Sequence, residues 1–188
     1  MTVISHPGFA IHRSSLSEAD LEELRQEVDI LNRHRGVGLR DTMKSSTLIA
    51  RQVENAFGLR SLLPNSHRVI RCIVFDKSPQ SNWRVGWHQD LNLKSEDGVV
   101  LEREMLGQVR TFRLHLDRTT ADNGALRVLP GSHANGPLSD EERRRLAVDE
   151  VVAEAEPGEV LVMSPLLVHA SSPMRSNSRR RVIHVDYL

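Results

Sequence analysis

From residue 69 onward the chain is written in short apolar runs, at 69–75, 109–116, 125–129, 160–163 and 181–187, each bounded by Pro, Gly, Asn or Asp. Runs of this length and texture read as strands. The borders Ser78-Pro79, Asn123-Gly124, Pro130-Gly131 and Pro157-Gly158 are turn signals, and together they predict an antiparallel barrel or jelly roll. Ahead of this half the pattern is helical. Leu21, Leu24, Val28 and Leu31 recur at helical spacing after Ser17, with Asp20 placed to answer it, and Gly36 is the expected stop. A second helical stretch is predicted over 48–57, with Leu48, Ile49, Val53 and Phe57 on one side and Gly58 ending it. A third, at 139–146, opens on a Ser139/Glu142 capping box and reads as a surface excursion between strands. The segment 91–108 is polar, mixed in charge and weakly periodic, which predicts a long loop or a mobile lid. The expected class is therefore mainly β, a jelly roll with N-terminal packing helices.

The 188 residues fit one domain, with 1–66 as a helical N-terminal part and 67–188 as the jelly-roll core. Twenty-five basic residues balance 25 acidic ones, so the chain lacks the electrostatic footprint of a nucleic-acid or membrane-surface binder. Its longest apolar stretches fall well short of the about 20 residues that span a bilayer. The start MTVISHPGFAIHR lacks the pattern of a secretory leader, and the single cysteine, Cys72, closes no intrachain disulfide, so a reducing, cytoplasmic setting is expected. Nothing in the sequence sets an oligomeric state.

Nine histidines are present, and three stand in His-x-Asp pairs: His88/Asp90, His115/Asp117 and His184/Asp186. With 11 Asp in the chain, chance placement gives roughly 0.5 such pairs. Residues two apart on a strand point to one side, so each pair could bring an imidazole nitrogen and a carboxylate oxygen to one metal ion. A third ligand must come from elsewhere, and His169, at the end of the apolar run that begins at Val160, is an attractive source. Two His and one carboxylate leave coordination positions free for substrate and dioxygen at a redox-active iron. Arg180 opens the last strand and could turn inward beside such a metal. Its planar fork suits a carboxylate, which suggests a dicarboxylate co-substrate. Spacing alone leaves the choice among the three pairs open; for His115/Asp117 and His184/Asp186 a structural or pocket-lining role is the simpler reading.

The runs FDKSP (75–79), WHQD (87–90), DNGALRVLPGSH (122–133), the stretch from Gly158 to Val168-His169-Ala170-Ser171-Ser172-Pro173, and Arg180 occur in an order that resembles the phytanoyl-CoA dioxygenase family of iron(II)/2-oxoglutarate oxygenases. Ectoine hydroxylase and tailoring enzymes of bacterial secondary metabolism belong to it. The likeness covers roughly residues 69–188 and implies a double-stranded β-helix with the metal between its sheets. It assigns His88, Asp90 and His169 as iron ligands and Arg180 as the anchor for the far carboxylate of 2-oxoglutarate. By the same match Arg113 and Ile73 line the co-substrate pocket, and Ser171 is an additional hydrogen-bond donor to the co-substrate. Arg113 departs from the aromatic residue found there in some members. The implied activity uses dioxygen, releases succinate and carbon dioxide, and hydroxylates a C–H bond of a small molecule. Competing readings are desaturation, cyclisation or epimerisation at the same centre, a non-catalytic metal-binding jelly roll, and a cupin-like protein using another metal. His133 belongs to a turn in this reading, Trp83 and Trp87 are core or pocket wall, and Cys72 is a small buried residue. Thr111, Arg113 and His115 alternate on one strand and Arg71 shares a face with Ile73, which predicts a cationic pocket for a polar or anionic substrate.

Overall fold

The strand-forming runs pair into two antiparallel sheets in a computed structural model that describes residues 7–35 and 38–188. In chain order the strands are β1 (Phe9–Arg13), β2 (Leu39–Arg40), β3 (Val69–Lys77), β4 (Val85–His88), β5 (Arg110–His115), β6 (Leu126–Val128), β7 (Val151–Ala153), β8 (Glu159–Met163), β9 (His169–Ser171) and β10 (Arg180–Tyr187). The helices are α1 (Glu18–Arg35), α2 (Thr42–Ser45), α3 (Thr47–Glu54) and α4 (Asp140–Leu146). Six strands form the sheet β1-β8-β5-β10-β3-β2 and four form the sheet β4-β9-β6-β7. This is the mainly β, two-sheet architecture expected from the turn-bounded runs.

The strand period of two sorts each strand of the larger sheet into two faces. One parity is apolar. Cys72 and Val74 of β3, Phe112 and Leu114 of β5, and Ile183, Val185 and Tyr187 of β10 pack against Leu21, Leu24 and Val28 of α1 and Ile49 and Val53 of α3. Each such fully buried aliphatic or aromatic side chain contributes about 1.5–3 kcal/mol. Tyr187 also donates its hydroxyl to the Val53 carbonyl at 2.6 Å, tying the last strand to α3. The other face looks across to the smaller sheet. There Leu161 and Met163 meet Leu126, Val128 and Leu167 in an apolar half. On the neighbouring strands the same inter-sheet side carries Arg71, Arg113, Arg180 and His184, which makes the other half polar.

The helices begin where their caps direct. Ser17 and Asp20 exchange hydrogen bonds ahead of α1, with Ser17 N donating to Asp20 Oδ2 at 2.8 Å and Asp20 N to Ser17 Oγ at 3.2 Å. The stop expected at Gly36 lies outside the described residues. At α4, Ser139 and Glu142 form the reciprocal capping box. The second stretch is shorter than 48–57: α3 ends at Glu54, and Ala56 and Phe57 turn left-handed, with φ 47° and 55°. That departure drives Phe57 fully into the core, so tertiary burial there overrides helical continuation.

Segment 91–108 is a loop fastened by two apolar anchors. Leu93 and Leu106 are fully buried with Ile70 and Val109 in a cluster of their own. A bridge pairs Lys94 with Val100, and a 3-10 turn spans Arg103–Gln108. Among the described residues no helix is long and apolar enough to cross a membrane.

Candidate metal centre

The smaller sheet brings two histidines face to face. His88 closes β4, His169 opens β9, and the antiparallel register sets them opposite one another, with ring centroids 4.1 Å apart. Asp90 follows two residues after His88. The peptide between them is pinned by the buried Gln89 side chain, whose Nε2 donates to the carbonyls of Gly136 at 2.8 Å and Leu166 at 2.7 Å. Its Oε1 accepts from Leu138 N at 2.8 Å, and Asp90 N donates to the Pro165 carbonyl at 2.9 Å. The Gln89 side chain and the Asp90 amide are therefore committed, and both flanking side chains leave the link at a set angle.

Each histidine is held in one tautomer. His88 Nδ1 lies 3.0 Å from the Gly86 carbonyl, and His169 Nδ1 lies 2.8 Å from that of Leu167. A carbonyl only accepts, so the proton sits on Nδ1 and the Nε2 lone pair is free for a metal. His88 Nε2 is 3.8 Å from Asp90 Oδ1, and His169 Nε2 is 4.0 Å from Asp90 Oδ2. One ligand atom from each of the three residues can be chosen so that all lie within 4.8 Å of one another. His169 is deeply buried, and burial above all, eased only in part by Asp90, pulls its pKa down to about 4, so it is neutral and ready to coordinate at pH 7. Burial pushes the Asp90 carboxyl up, but His169, His184 and Arg71 outweigh it and keep the group ionised. Side-chain exposure of 35% at His88 against 4% at His169 shows which flank faces the outside.

Behind Asp90 runs a buried chain of charge. Arg71 Nη2 stands 3.6 Å from Asp90 Oδ2, and Arg71 Nε is hydrogen-bonded to Asp186. Thr111 Oγ1 donates to Asp186 Oδ1 at 2.6 Å, and His184 Nε2 sits 3.3 Å from Asp186 Oδ2. Arg113 Nη1 donates to His184 Nδ1 at 2.7 Å. Because an arginine only donates, His184 must accept at Nδ1 and carry its proton on Nε2, toward Asp186. Burial raises the Asp186 carboxyl, yet His184, Arg71 and Thr111 hold it far below the ordinary carboxylate range. The pair His184/Asp186 thus supports the site from behind. His115/Asp117 is elsewhere: His115 Nδ1 meets the Glu159 carbonyl at 3.1 Å, and Asp117 receives Arg181 Nε at 2.9 Å and Nη2 at 2.7 Å.

A cavity of about 180 Å³ adjoins the three residues, and Arg180, Arg113, Ser171 and Ile73 all line it. Arg180 is 2% exposed, and its Nε and Nη1 have no hydrogen-bond partner; Arg113 Nε has none either. Burial, reinforced by Arg113, lowers the Arg180 pKa to about 9, and burial lowers that of Arg113 to about 10. Both stay charged at neutral pH. Buried guanidinium donors without acceptors are costly in a folded protein, and here they face the space beside the metal ligands, where a dicarboxylate would satisfy them. The Ser171 hydroxyl, the expected donor to the co-substrate, here donates to the Gly124 carbonyl at 3.0 Å.

Thr111 and His115 do not line this cavity; they are taken up by Asp186 and by the Glu159 carbonyl. Trp83 is a cavity wall, whereas Trp87 packs beneath the Arg127 guanidinium at 5.0 Å. His133 lies in the 3-10 turn Ser132–Asn135 that follows Gly131, whose φ is 80°. Sequence reasoning missed Gln89 and Lys77 as parts of the site, whereas Asp186 was named there within the His184/Asp186 pair. The parity that Lys77 shares with Arg71 on β3 signals its inward face but not what it holds. A larger cavity, about 580 Å³, lies between Met43, Ile70, Val100 and Met105 and is lined by none of the three ligands.

Among solved structures the chain is similar to AviO1 from Streptomyces viridochromogenes Tue57, with 20% identity over 99% of this chain and 92% of that one and a TM-score of 0.76. It is similar to EctD from S. alaskensis with bound Fe, at 18% identity over 98% of this chain and 74% of that one, with a TM-score of 0.80. The ThoJ nickel complex matches at 21% identity over 97% of this chain and 74% of that one, with a TM-score of 0.76. No curated protein matches the chain. At these identities the structural likeness establishes the fold. Family follows from residues 13–182, which match phytanoyl-CoA dioxygenase (PhyH) along nearly the whole chain, and the protein belongs to that family.

Proposed function

We propose that the protein is an iron(II)- and 2-oxoglutarate-dependent dioxygenase that hydroxylates an unactivated C–H bond of a small-molecule metabolite, with release of succinate and carbon dioxide. The observation that carries this reading is the buried Arg180, whose unpartnered Nε and Nη1 share one cavity with His88, Asp90 and His169. A purely structural metal site has no use for such a group. The donor set fits iron, because two imidazoles with free Nε2 atoms and one carboxylate would supply three ligands to an ion and leave room for others. EctD from S. alaskensis, which shares this fold, is solved with 2-oxoglutarate and 5-hydroxyectoine.

Iron with 2-oxoglutarate and dioxygen supplies the oxidising power, and the chain supplies position and exclusion. His88, Asp90 and His169 would hold the metal by three ligands. Arg180 binds the distal carboxylate of the keto acid through a charge-assisted fork. Arg113, fixed by His184, keeps a second cation in the cavity, while Ile73 and Phe75 form an apolar wall that limits water. Arg40 and Arg71 line both this cavity and the adjoining one of about 230 Å³, which favours a polar or anionic substrate arriving from that side.

The deciding experiment is an anaerobic titration of metal-free protein with iron(II) and then 2-oxoglutarate, read through the weak visible charge-transfer band of the chelated keto acid. The band is expected in the native protein and absent in Arg180→Ala. Folded, iron-loaded native protein without the band overturns the reading in favour of a binding module. Substrate preference is tested by succinate formation stimulated by carboxylated against neutral metabolites; equal or better stimulation by neutral apolar compounds rejects an anionic substrate.

A further inference from the structure

Among the described residues, three buried cations of the inter-sheet space, Arg113, Arg180 and Lys77, make no ion pair with a carboxylate. Lys77 ends β3 and is 0% exposed. The β3–β10 register sets it opposite Arg180, and the charged group that acts on it is that arginine, another cation. By contrast Arg71 is matched by Asp186, Arg179 by Asp76 and Arg181 by Asp117. Lys77 is held by neutral acceptors only. Its Nζ donates to Ser171 Oγ at 3.1 Å and to the Ser172 carbonyl at 2.8 Å, and it lies over the Trp83 ring at 5.1 Å.

The slot for this ammonium is built by a glycine. Gly124 has φ +80°, and a Cβ placed there would stand 2.9 Å from Lys77 Nζ and 2.6 Å from the Ser172 carbonyl oxygen. Only a residue without a side chain leaves room for the lysine to reach Ser171.

The consequence falls on the Ser171 hydroxyl, which has one proton to give and two lone pairs. With a lone pair engaged by the ammonium, the group is polarised as a donor, and its proton rests on the Gly124 carbonyl at 3.0 Å. Ser171 lines the cavity that Arg180 enters, so a carboxylate held by Arg180 offers a stronger, charged acceptor for that proton. We infer that Lys77 is a positioning residue for the co-substrate: acting through Ser171, and with its charge behind Arg180, it makes the site select a keto acid bearing a distal carboxylate. Burial and Arg180 lower the Lys77 pKa to about 8, so this help fades as the medium turns alkaline. The inference rests on the oxygenase reading above.

The test compares 2-oxoglutarate with 2-oxobutyrate, which keeps the keto-acid head and lacks the distal carboxylate. Dissociation constants are measured anaerobically on iron(II)-loaded native protein, Lys77→Met, Ser171→Ala and the double variant. Lys77→Met is expected to weaken 2-oxoglutarate by about tenfold or more, the scale of one hydrogen bond to a charged group, while 2-oxobutyrate changes by less than about twofold. Ser171→Ala should do the same, and the double variant should be no worse than the poorer single one, because both remove one linkage. Equal losses for the two acids, or additive losses in the double variant, overturn the inference. Should Lys77→Met fail to fold, Ser171→Ala and the native pH profile decide. The preference for 2-oxoglutarate over 2-oxobutyrate must shrink more between pH 7 and pH 9 in the native protein than in Ser171→Ala, where Arg180 still titrates but the linkage to Lys77 is cut, and equal shrinkage in the two proteins overturns the proposal. Native protein that binds neither acid refutes the oxygenase reading itself; native selectivity that persists unchanged in Lys77→Met refutes only the role of Lys77.

Discussion

Replacing Arg180 by Met should make the metal-free protein more stable while removing its affinity for 2-oxoglutarate. The guanidinium is 2% exposed, two of its nitrogens have no acceptor, and its charged neighbour is Arg113. Burial and then Arg113 lower its pKa to about 9 from an ordinary value of 12.5. A base whose pKa is depressed by folding destabilises the fold throughout the range where it is charged, so at pH 7.5 the whole penalty is present. At about 1.4 kcal/mol per pH unit of displacement the ceiling is on the order of 5 kcal/mol, and relaxation brings the expected gain to about 1–3 kcal/mol. Met keeps the length and apolar stem of the side chain. For a chain of 188 residues the melting temperature should rise by about 2–10 °C. In the same variant the loss of a charge-assisted fork should weaken 2-oxoglutarate by about 100-fold or more. Scanning calorimetry of the metal-free variant, paired with the anaerobic titration, reads both effects. A variant that melts below the native protein would show that the fold already satisfies the guanidinium, and the idea of a cation waiting for a dicarboxylate would fall.

Alanine at His88 or Asp90 should abolish iron(II) binding in equilibrium dialysis, with His115→Ala retaining it; succinate production surviving in both ligand variants would move the metal to another His-x-Asp pair. Asp186→Asn should weaken iron(II) by about 10–100-fold in the same assay, because Arg71 loses its main partner and is drawn toward Asp90. Stability of the metal-free protein should fall in acid. Burial above all lowers His169 to about 4 and His115 to about 3, so both are neutral when folded and would take up protons below about pH 6.5 when unfolded. The stability their neutral forms contribute is therefore lost progressively from about pH 6.5 downward, amounting to about 2–4 kcal/mol at pH 5. Urea midpoints at pH 7.5 and 5.0 measure it, and coincident midpoints contradict the assignment.

Much of the architecture was legible because strand period and turn chemistry are local. The runs around β3, β5, β6, β8 and β10 announced themselves by Pro and Gly borders, and the α1 and α4 caps by Ser paired with an acid three residues on. Strands β4, β7 and β9 are three or four residues long and carry no period of their own; they exist by pairing with distant partners. The same division runs through the site. Spacing nominated three equivalent His-x-Asp pairs, and only long-range register separates them, since His88 meets His169 across β4 and β9 while His184 meets Arg113 across β10 and β5. Gln89 and Lys77 went unseen because their acceptors are backbone carbonyls of remote loops and, for Lys77, the remote Ser171 hydroxyl, which no pattern in the chain displays. The end of α3 shifted because Phe57 gains more from the core than from another helical turn.

The two-faced strands of the larger sheet also separate what the protein can change from what it must keep. Substitutions at Arg71, Ile73, Phe75 or Arg113 remodel the chemistry of the cavity, while the alternate positions Cys72, Val74, Phe112 and Leu114 continue to hold the helices. A mutant library confined to one parity of β3 and β5 would explore new small-molecule preferences against a constant scaffold. A slip of one residue in either strand is the opposite case, for it would turn arginines into the helix layer and valines toward the metal together. Divergence in such a chain is open residue by residue and closed to insertions within these strands.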